Sequence, residues 1–303
     1  MDRPAPFAPA TLPVPAERVE AYDRYGPDLP ETPVIVSIPH AGRVYPPALL
    51  ADARVGAEVL RRLEDRWVDL LAHRLIAGGF AVLVARTPRA FIDLNRHERE
   101  LDPAMVAGLP RDVPLQSSAK LRGGLGLVPR RLAGVGDLWR GPLPWRDMEW
   151  RIETLHRPYH AAITRLMLAA RRAHGHAILV DLHSMPPLAP PEPGRPPPGL
   201  VLGDRFGRSA ADRLVRLAAD VAAAHQVTTG HNHPYAGDHM LERHGRPAQG
   251  RHALQLEVDR ALYLDAALDG PGPGLARATA MVTEIGEALA CELPRVVQAM
   301  AAE

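Results

Sequence analysis

Apolar residues in this chain gather into short continuous runs, set between longer stretches with helical period. Val34-Ile-Val-Ser-Ile38, Ala81 to Ala85, Ile178-Leu-Val180 and Leu200-Val-Leu202 read as buried strands. Uninterrupted runs of this kind suit strands covered on both faces, as in open α/β sheets. Leu254-Gln-Leu-Glu-Val258 alternates instead, with Gln255 and Glu257 on one face and Leu254, Leu256 and Val258 on the other. Asp52 to Ala77 reads as helical, with Trp67, Leu70, Leu71 and Leu75 on one face and Gly78-Gly79 closing it. Further helices are expected over Met148 to Ala173, Gly207 to Ala224 and the amphipathic tail from Gly274.

Polar residues sit where several of these runs stop. The strand through Val180 opens into Asp181, Leu182, His183 and Ser184, and Pro186-Pro187 ends it. Open α/β sheets place their sites at such strand ends. His183 is a candidate metal ligand with Asp181 orienting its ring; a hydrogen-bonded strand-end histidine is the plainer alternative. His40 follows Val34–Ile38 in the same way, and a surface loop histidine is its alternative. An acidic group falls near residue 64. On a helix continuous from Arg54, Glu64 lies nearer the apolar face; on a helix starting here, Asp65 is the N-cap. Phe91 to Arg96, read as extended, sends Ile92 and Leu94 one way and Asp93 and Asn95 the other. Arg89, Asn95 and Arg96 offer donors to a carboxylate or an oxyanion, or form an ion-pair cluster with Glu98 and Glu100. Glu257, a carboxylate within a buried strand, needs a partner or a polar cleft.

Two loops carry other patterns. Residues 97–147 are Gly- and Pro-rich, and Gly123-Gly-Leu-Gly126 lacks the Lys-Ser/Thr ending of a phosphate loop. A long loop over the site is expected there. His231, His233, Asp238 and His239 crowd nine residues, open to metal binding or to other contacts. Pro-rich residues 186–199 suggest a stiff or irregular excursion.

Composition narrows the function classes. Lys and Arg number 36 against 35 Asp and Glu, which leaves no basic footprint for nucleic acid and no polybasic run for a membrane surface. One cysteine, Cys291, excludes an internal disulfide framework and a cysteine-rich zinc site, so a metal site would draw on the 14 histidines and the carboxylates. The chain's 303 residues divide into a Pro-rich arm over residues 1–30 and a single catalytic domain over 31–303. Without an apolar signal core or a membrane-length run, the expected compartment is the cytoplasm.

Five motifs then occur in order: Ser-Ile-Pro-His-Ala-Gly (37–42), Arg-Ala-Phe-Ile-Asp-Leu-Asn-Arg (89–96), Arg-Pro-Tyr-His (157–160), Asp-Leu-His-Ser-Met (181–185) and Gln-Leu-Glu-Val (255–258). The set resembles the N-formylglutamate amidohydrolase family and, more distantly, zinc carboxypeptidases and aspartoacylase-like deacylases. The resemblance implies an α/β fold: a mixed, mostly parallel central sheet with helices on both faces. It also implies one zinc ion held by His40, Asp65 and His183, with Asp65 preferred to Glu64 because Asp69 follows it. Glu257 matches the general base, Arg89 the oxyanion donor, and Asn95 and Arg96 the binders of the substrate carboxylate. The implied partner is a small N-acyl amino acid met in histidine degradation. Two departures stand out. Arg43 occupies the position three after the first histidine where carboxypeptidases carry an acid, and Gly237-Asp238 and His244-Gly245 replace a Gly-Gly pair and a later Tyr-Gly. A deacylase or carboxypeptidase acting on another N-acyl amino acid or peptide, and a non-catalytic binder of acidic amino acids, are the rival readings. A serine hydrolase built on Ser184 lacks the Gly-x-Ser-x-Gly elbow.

Overall fold

The continuous apolar runs become the middle of one sheet. In the computed structural model, which describes residues 20–191, 193–194 and 196–300 and side chains as far as Glu292, seven strands pair together. They are β1 (Tyr22–Tyr25), β2 (Val34–Ile38), β3 (Ala81–Ala85), β4 (Ala177–Met185), β5 (Leu200–Gly203), β6 (Thr229–His231) and β7 (Arg251–Asp259). Their order across the sheet is β1, β3, β2, β4, β7, β5, β6. Strands β3, β2, β4 and β7 run parallel, as do β5 and β6. The antiparallel pairs are β1 with β3 and β7 with β5. This is the mixed, mostly parallel sheet expected.

Two apolar cores lie on its opposite faces. Val36, Val82, Ile178, Val180, Leu254 and Leu256 pack with Leu75 of His73–Ala77, Leu214 of Asp212–Ala224 and Ile285 of Leu275–Met300. Ile35, Leu83, Leu179 and Ala253 pack with Tyr159, Ile163 and Leu166 of Arg157–His174. That helix stops at Gly175, whose φ of 81° suits a residue without Cβ. On this second face the alternation changes character toward the strand C-termini: Ile35 gives way to Ser37, Leu179 to Asp181 and His183, and Ala253 to Gln255 and Glu257. Parallel register sets Ser37 beside Asp181, Gln255 beside Asp181, and Glu257 beside His183.

Three expected elements differ. Asp52 to Ala77 is no single helix: Pro47–Asp52, Ala57–Leu60, Arg61–Leu63, Val68–Ala72 and His73–Ala77 are separate turns. The chain breaks at Asp65 because its N–H bonds the His40 carbonyl at 3.0 Å instead of a helical carbonyl. Trp67 then takes a left-handed φ of 56° and donates its indole N–H to Asp269 O at 2.7 Å. Phe91 to Arg96 is a buried turn, not a strand. Asp93 organises it by accepting the Asn95 N–H at 2.9 Å, while Arg96 N–H bonds Asp93 O at 3.2 Å. The helix expected from Gly207 starts at Asp212, since Arg205, Phe206 and Gly207 all have positive φ.

Residues 97–147 are not one open loop. They contain Pro103–Met105, Ala119–Arg122 and two small strand pairs, and they bury Leu127, Leu138, Trp139 and Leu143 against the core. Residues 1–19 of the expected arm lie outside the described residues. Among the described residues no helix is long and apolar enough to cross a membrane.

Candidate metal and catalytic site

The polar ends of β2, β4 and β7 open on a cavity of about 430 Å³. His40, Asp65, Arg89, Asn95, Arg96, His183 and Glu257 all line it, so these seven side chains reach one place.

His40, just past β2, and His183, within β4, face each other edge-on with ring centroids 4.6 Å apart. Asp65 sits between them. Its Oδ2 is 2.9 Å from His183 Nδ1 and 3.5 Å from His40 Nδ1. The far nitrogen of each ring meets a second carboxylate: His40 Nε2 donates to Asp93 Oδ1 at 2.7 Å, and His183 Nε2 donates to Asp181 Oδ2 at 2.9 Å. All five groups are buried. Asp181 is held in turn by the Ser37 hydroxyl at 3.1 Å and the Asn95 amide at 3.3 Å.

The electrostatics follow from this packing. Burial opposes ionisation of Asp65, but hydrogen bonds from His183 and His40 outweigh it and hold the carboxyl well below its ordinary range. Asp93 is likewise buried yet held well below by Arg89 and His40. Burial disfavours the charged form of His183, but Asp181 and Asp65 on its two nitrogens push its pKa well above the usual value. Among the described residues Glu257 has no such cationic partner in contact. Burial lifts its carboxyl from 4.5 to about 7, and Gln255 donates to its Oε1 at 3.0 Å.

The donors around the cavity are each fixed by a neighbouring group. Arg89 Nε donates to Asp93 Oδ2 at 2.7 Å, the only hydrogen bond of its guanidinium among the described residues. Arg96 reaches Asp238 Oδ1 at 3.0 Å through Nη1. Asn95 Oδ1 accepts the Met240 N–H at 2.8 Å, which aims its amide N–H at Asp181.

Glu64 is turned away from the cluster and bound by Tyr45 and by Arg66, the latter at 2.8 Å. Arg43, at the departed position, makes a two-pronged ion pair with Asp69, both bonds 2.8 Å, and lies over Trp67. The histidines of residues 231–239 do not converge: His231 reaches Asp204 at 3.2 Å, whereas His239 is buried against His156 and His160.

Two groups escaped the sequence reading. Asp93 joins His40 to Arg89; its one signal was an acid inside the apolar Phe-Ile-Asp-Leu run. Arg260, just beyond β7, reaches Asp65 Oδ1 and Ser184 Oγ at 3.2 Å each. Nothing in its local pattern marks it.

His40, Asp65 and His183 present three ligand atoms within 4.8 Å of one another, two imidazole nitrogens and one carboxylate oxygen. That donor set suits a borderline divalent ion such as zinc. A carboxylate on the other nitrogen of each histidine is the arrangement that orients metal-bound imidazoles.

Comparison with known proteins gives a consistent result. N-formylglutamate deformylases of Pseudomonas aeruginosa and Pseudomonas putida are each 30% identical, over 237 and 243 residues, covering 77% of this chain and 82% of theirs. The crystal structure of N-formylglutamate amidohydrolase from Ralstonia eutropha superposes with a TM-score of 0.83 at 31% identity, covering 91% of this chain and 99% of that one. A gene product of Agrobacterium tumefaciens shares the fold at TM-score 0.61 and 19% identity, over 90% of this chain and 96% of its own. The N-formylglutamate amidohydrolase profile matches residues 32–264, and the chain belongs to that family.

Proposed function

We propose that this chain is a zinc-dependent amidohydrolase that removes the N-formyl or another small N-acyl group from an acidic amino acid, with N-formylglutamate the reference substrate. The observation that carries the reading is the meeting of His40, Asp65 and His183 at one cavity wall, with Glu257 on the neighbouring strand level with His183. Family membership and the deformylase relatives support it.

Bound by those three side chains, zinc supplies a nucleophile at neutral pH and a positive charge for the developing oxyanion. The protein's own groups do the rest. Glu257, poised near 7 by burial, takes the proton of the attacking water on its carboxylate and delivers it to the leaving nitrogen. Arg89, tethered to Asp93 through Nε, turns its remaining N–H groups toward the carbonyl oxygen. Removing such a donor typically costs about 3–4 kcal/mol of barrier. Asn95 and Arg96 hold the substrate's α-carboxylate, and Asp93 keeps Arg89 and His40 in register with one another.

One observation favours a second reading. Asp238, paired with Arg96 at 3.0 Å, also lines the cavity, and its charge opposes an acidic substrate side chain there. A less acidic N-acyl amino acid is the alternative substrate. The test is a panel of N-formyl, N-acetyl and N-succinyl amino acids, assayed with and without chelator and with zinc added back. Zinc-restored hydrolysis of N-formylglutamate supports the proposal. Chelator-resistant turnover refutes the metal assignment, and preference for a neutral N-acyl amino acid refutes the acidic one.

A further inference from the structure

A second group of histidines is packed behind the Asn95–Arg96 turn. His156 and His160 are four residues apart, where the π-turn Ile152–His156 passes into helix Arg157–His174. His156 Nε2 lies 2.8 Å from Arg96 O, and His160 Nε2 lies 2.9 Å from Leu94 O. A carbonyl only accepts, so both rings carry their proton on Nε2 and leave a lone pair on Nδ1. His239, first residue of helix His239–His244, closes the third side. Its ring centroid is 5.1 Å from that of His160 and 6.0 Å from that of His156.

The bonding of this group is incomplete. Among the described residues, His156 Nδ1 and both nitrogens of His239 are buried with no hydrogen-bond partner. His160 Nδ1 meets, among the described residues, the Nε2–H of His244 alone, at 3.0 Å. Buried imidazole nitrogens are ordinarily hydrogen-bonded, and three orphans within one cluster call for a guest. Burial also depresses the pKa of His156 to about 4 and holds that of His160 well below its ordinary value, so both are neutral at pH 7, the form that binds metal. A single water molecule would supply hydrogens to the free lone pairs, but three features suit a cation better. Two histidines share a helix face at a four-residue spacing with the third from another helix. The two helical rings spend their other N–H on backbone carbonyls, as metal-bound imidazoles do. Ligand nitrogens of all three rings lie within 4.8 Å of one another.

We infer that His156, His160 and His239 form a second site, for a borderline divalent ion such as zinc, distinct from the cavity cluster and structural in role. His160 Nδ1 exchanges the His244 N–H for the ion. The ion ties helix Arg157–His174 to helix His239–His244, whose Met240 N–H holds Asn95. It thereby fixes the turn that carries Asn95 and Arg96 from behind. None of this depends on the cavity cluster holding metal.

The test removes the cavity site and counts what remains. The full chain and a His40→Ala, His183→Ala double variant are loaded with zinc, freed of excess by dialysis and analysed for metal per folded chain. One zinc is expected to persist in the double variant, and to disappear when His239→Gln is added. Cobalt loading of the same proteins gives an independent readout: a tetrahedral visible band retained in the double variant and lost in the triple. A folded double variant with no bound metal overturns the inference, as does a triple variant that keeps its zinc. If the Gln variant does not fold, the zinc content and cobalt spectrum of the double variant alone decide the matter. Loss of cavity zinc with retention of this one separates the two sites' fates.

Discussion

Glu257→Gln should make the metal-free protein more stable and the enzyme nearly inactive. The carboxyl ionises near 7 in the folded protein against an ordinary 4.5. That gap corresponds to about 3 kcal/mol of preference for the protonated form on folding. The direction of the pH dependence follows. Below 4.5 both folded and unfolded chains hold the proton and nothing is lost. As pH rises from 4.5 to 7 the unfolded chain ionises and the folded chain does not, so stability falls. Above 7 the buried carboxylate carries the whole penalty. Glutamine cannot ionise, and its carbonyl can still accept the Gln255 amide that now bonds Oε1 at 3.0 Å.

Urea unfolding of chelator-treated wild type and variant at pH 5 and pH 8.5 measures the effect. The variant should gain about 2–3 kcal/mol relative to wild type between the two pH values. In the same preparation reloaded with zinc, kcat should fall by about 10²–10⁴, since a positioned base contributes that much. A structural ion pair predicts the opposite pattern, loss of stability with kcat nearly intact. A variant whose stability gain over wild type is no larger at pH 8.5 than at pH 5 refutes the burial argument. One that turns over like wild type removes Glu257 from the chemistry.

Four further outcomes follow from the same geometry. Zinc affinity should fall as pH drops and binding should release protons, because His183 is held protonated between Asp65 and Asp181 in the metal-free protein; calorimetry in buffers of different ionisation enthalpy reads the proton count. Asp93→Asn should weaken zinc binding about 10–100-fold by loosening His40 and also lower kcat by freeing Arg89, which competition with a chromophoric chelator and steady-state kinetics would show. Arg89→Ala should act mainly on kcat and Arg96→Ala mainly on KM, since only the first bond strengthens as the oxyanion forms; the reverse split would exchange their roles. Asp238→Ala should lower KM for acidic substrates by releasing Arg96, and an unchanged KM would place the substrate carboxylate elsewhere.

How much of this was legible in the chain depended on the range of the deciding interaction. The strands through Val36, Val82 and Val180 were readable because an apolar run needs no knowledge of its neighbours to be recognised as buried. The alternation that sends Glu257 away from Leu256 and Val258 was equally local, and those two residues do pack in the core on the far face. Reading failed where a tertiary bond outweighed a periodic pattern. The helix over Asp52 to Ala77 satisfied its own spacing, yet one bond from Asp65 N–H to His40 O broke it. The turn at Phe91 had the alternation of a strand, yet Asp93 bonded back to its own segment.

The same distinction explains the site. Parity along a strand says which face a residue takes, but not which residue of the next strand stands beside it. Ser37, Asp181 and Gln255 form one row, and His183 with Glu257 the next, only because β2, β4 and β7 pair in parallel with that register. A shift of β7 by one residue would turn Glu257 into the core holding Leu256 and bring Leu256 to the cavity. The apolar residues on the far face therefore do more than stabilise the sheet. Burying Leu254, Leu256 and Val258 together forbids that shift, so the packing of one face fixes the chemistry available on the other.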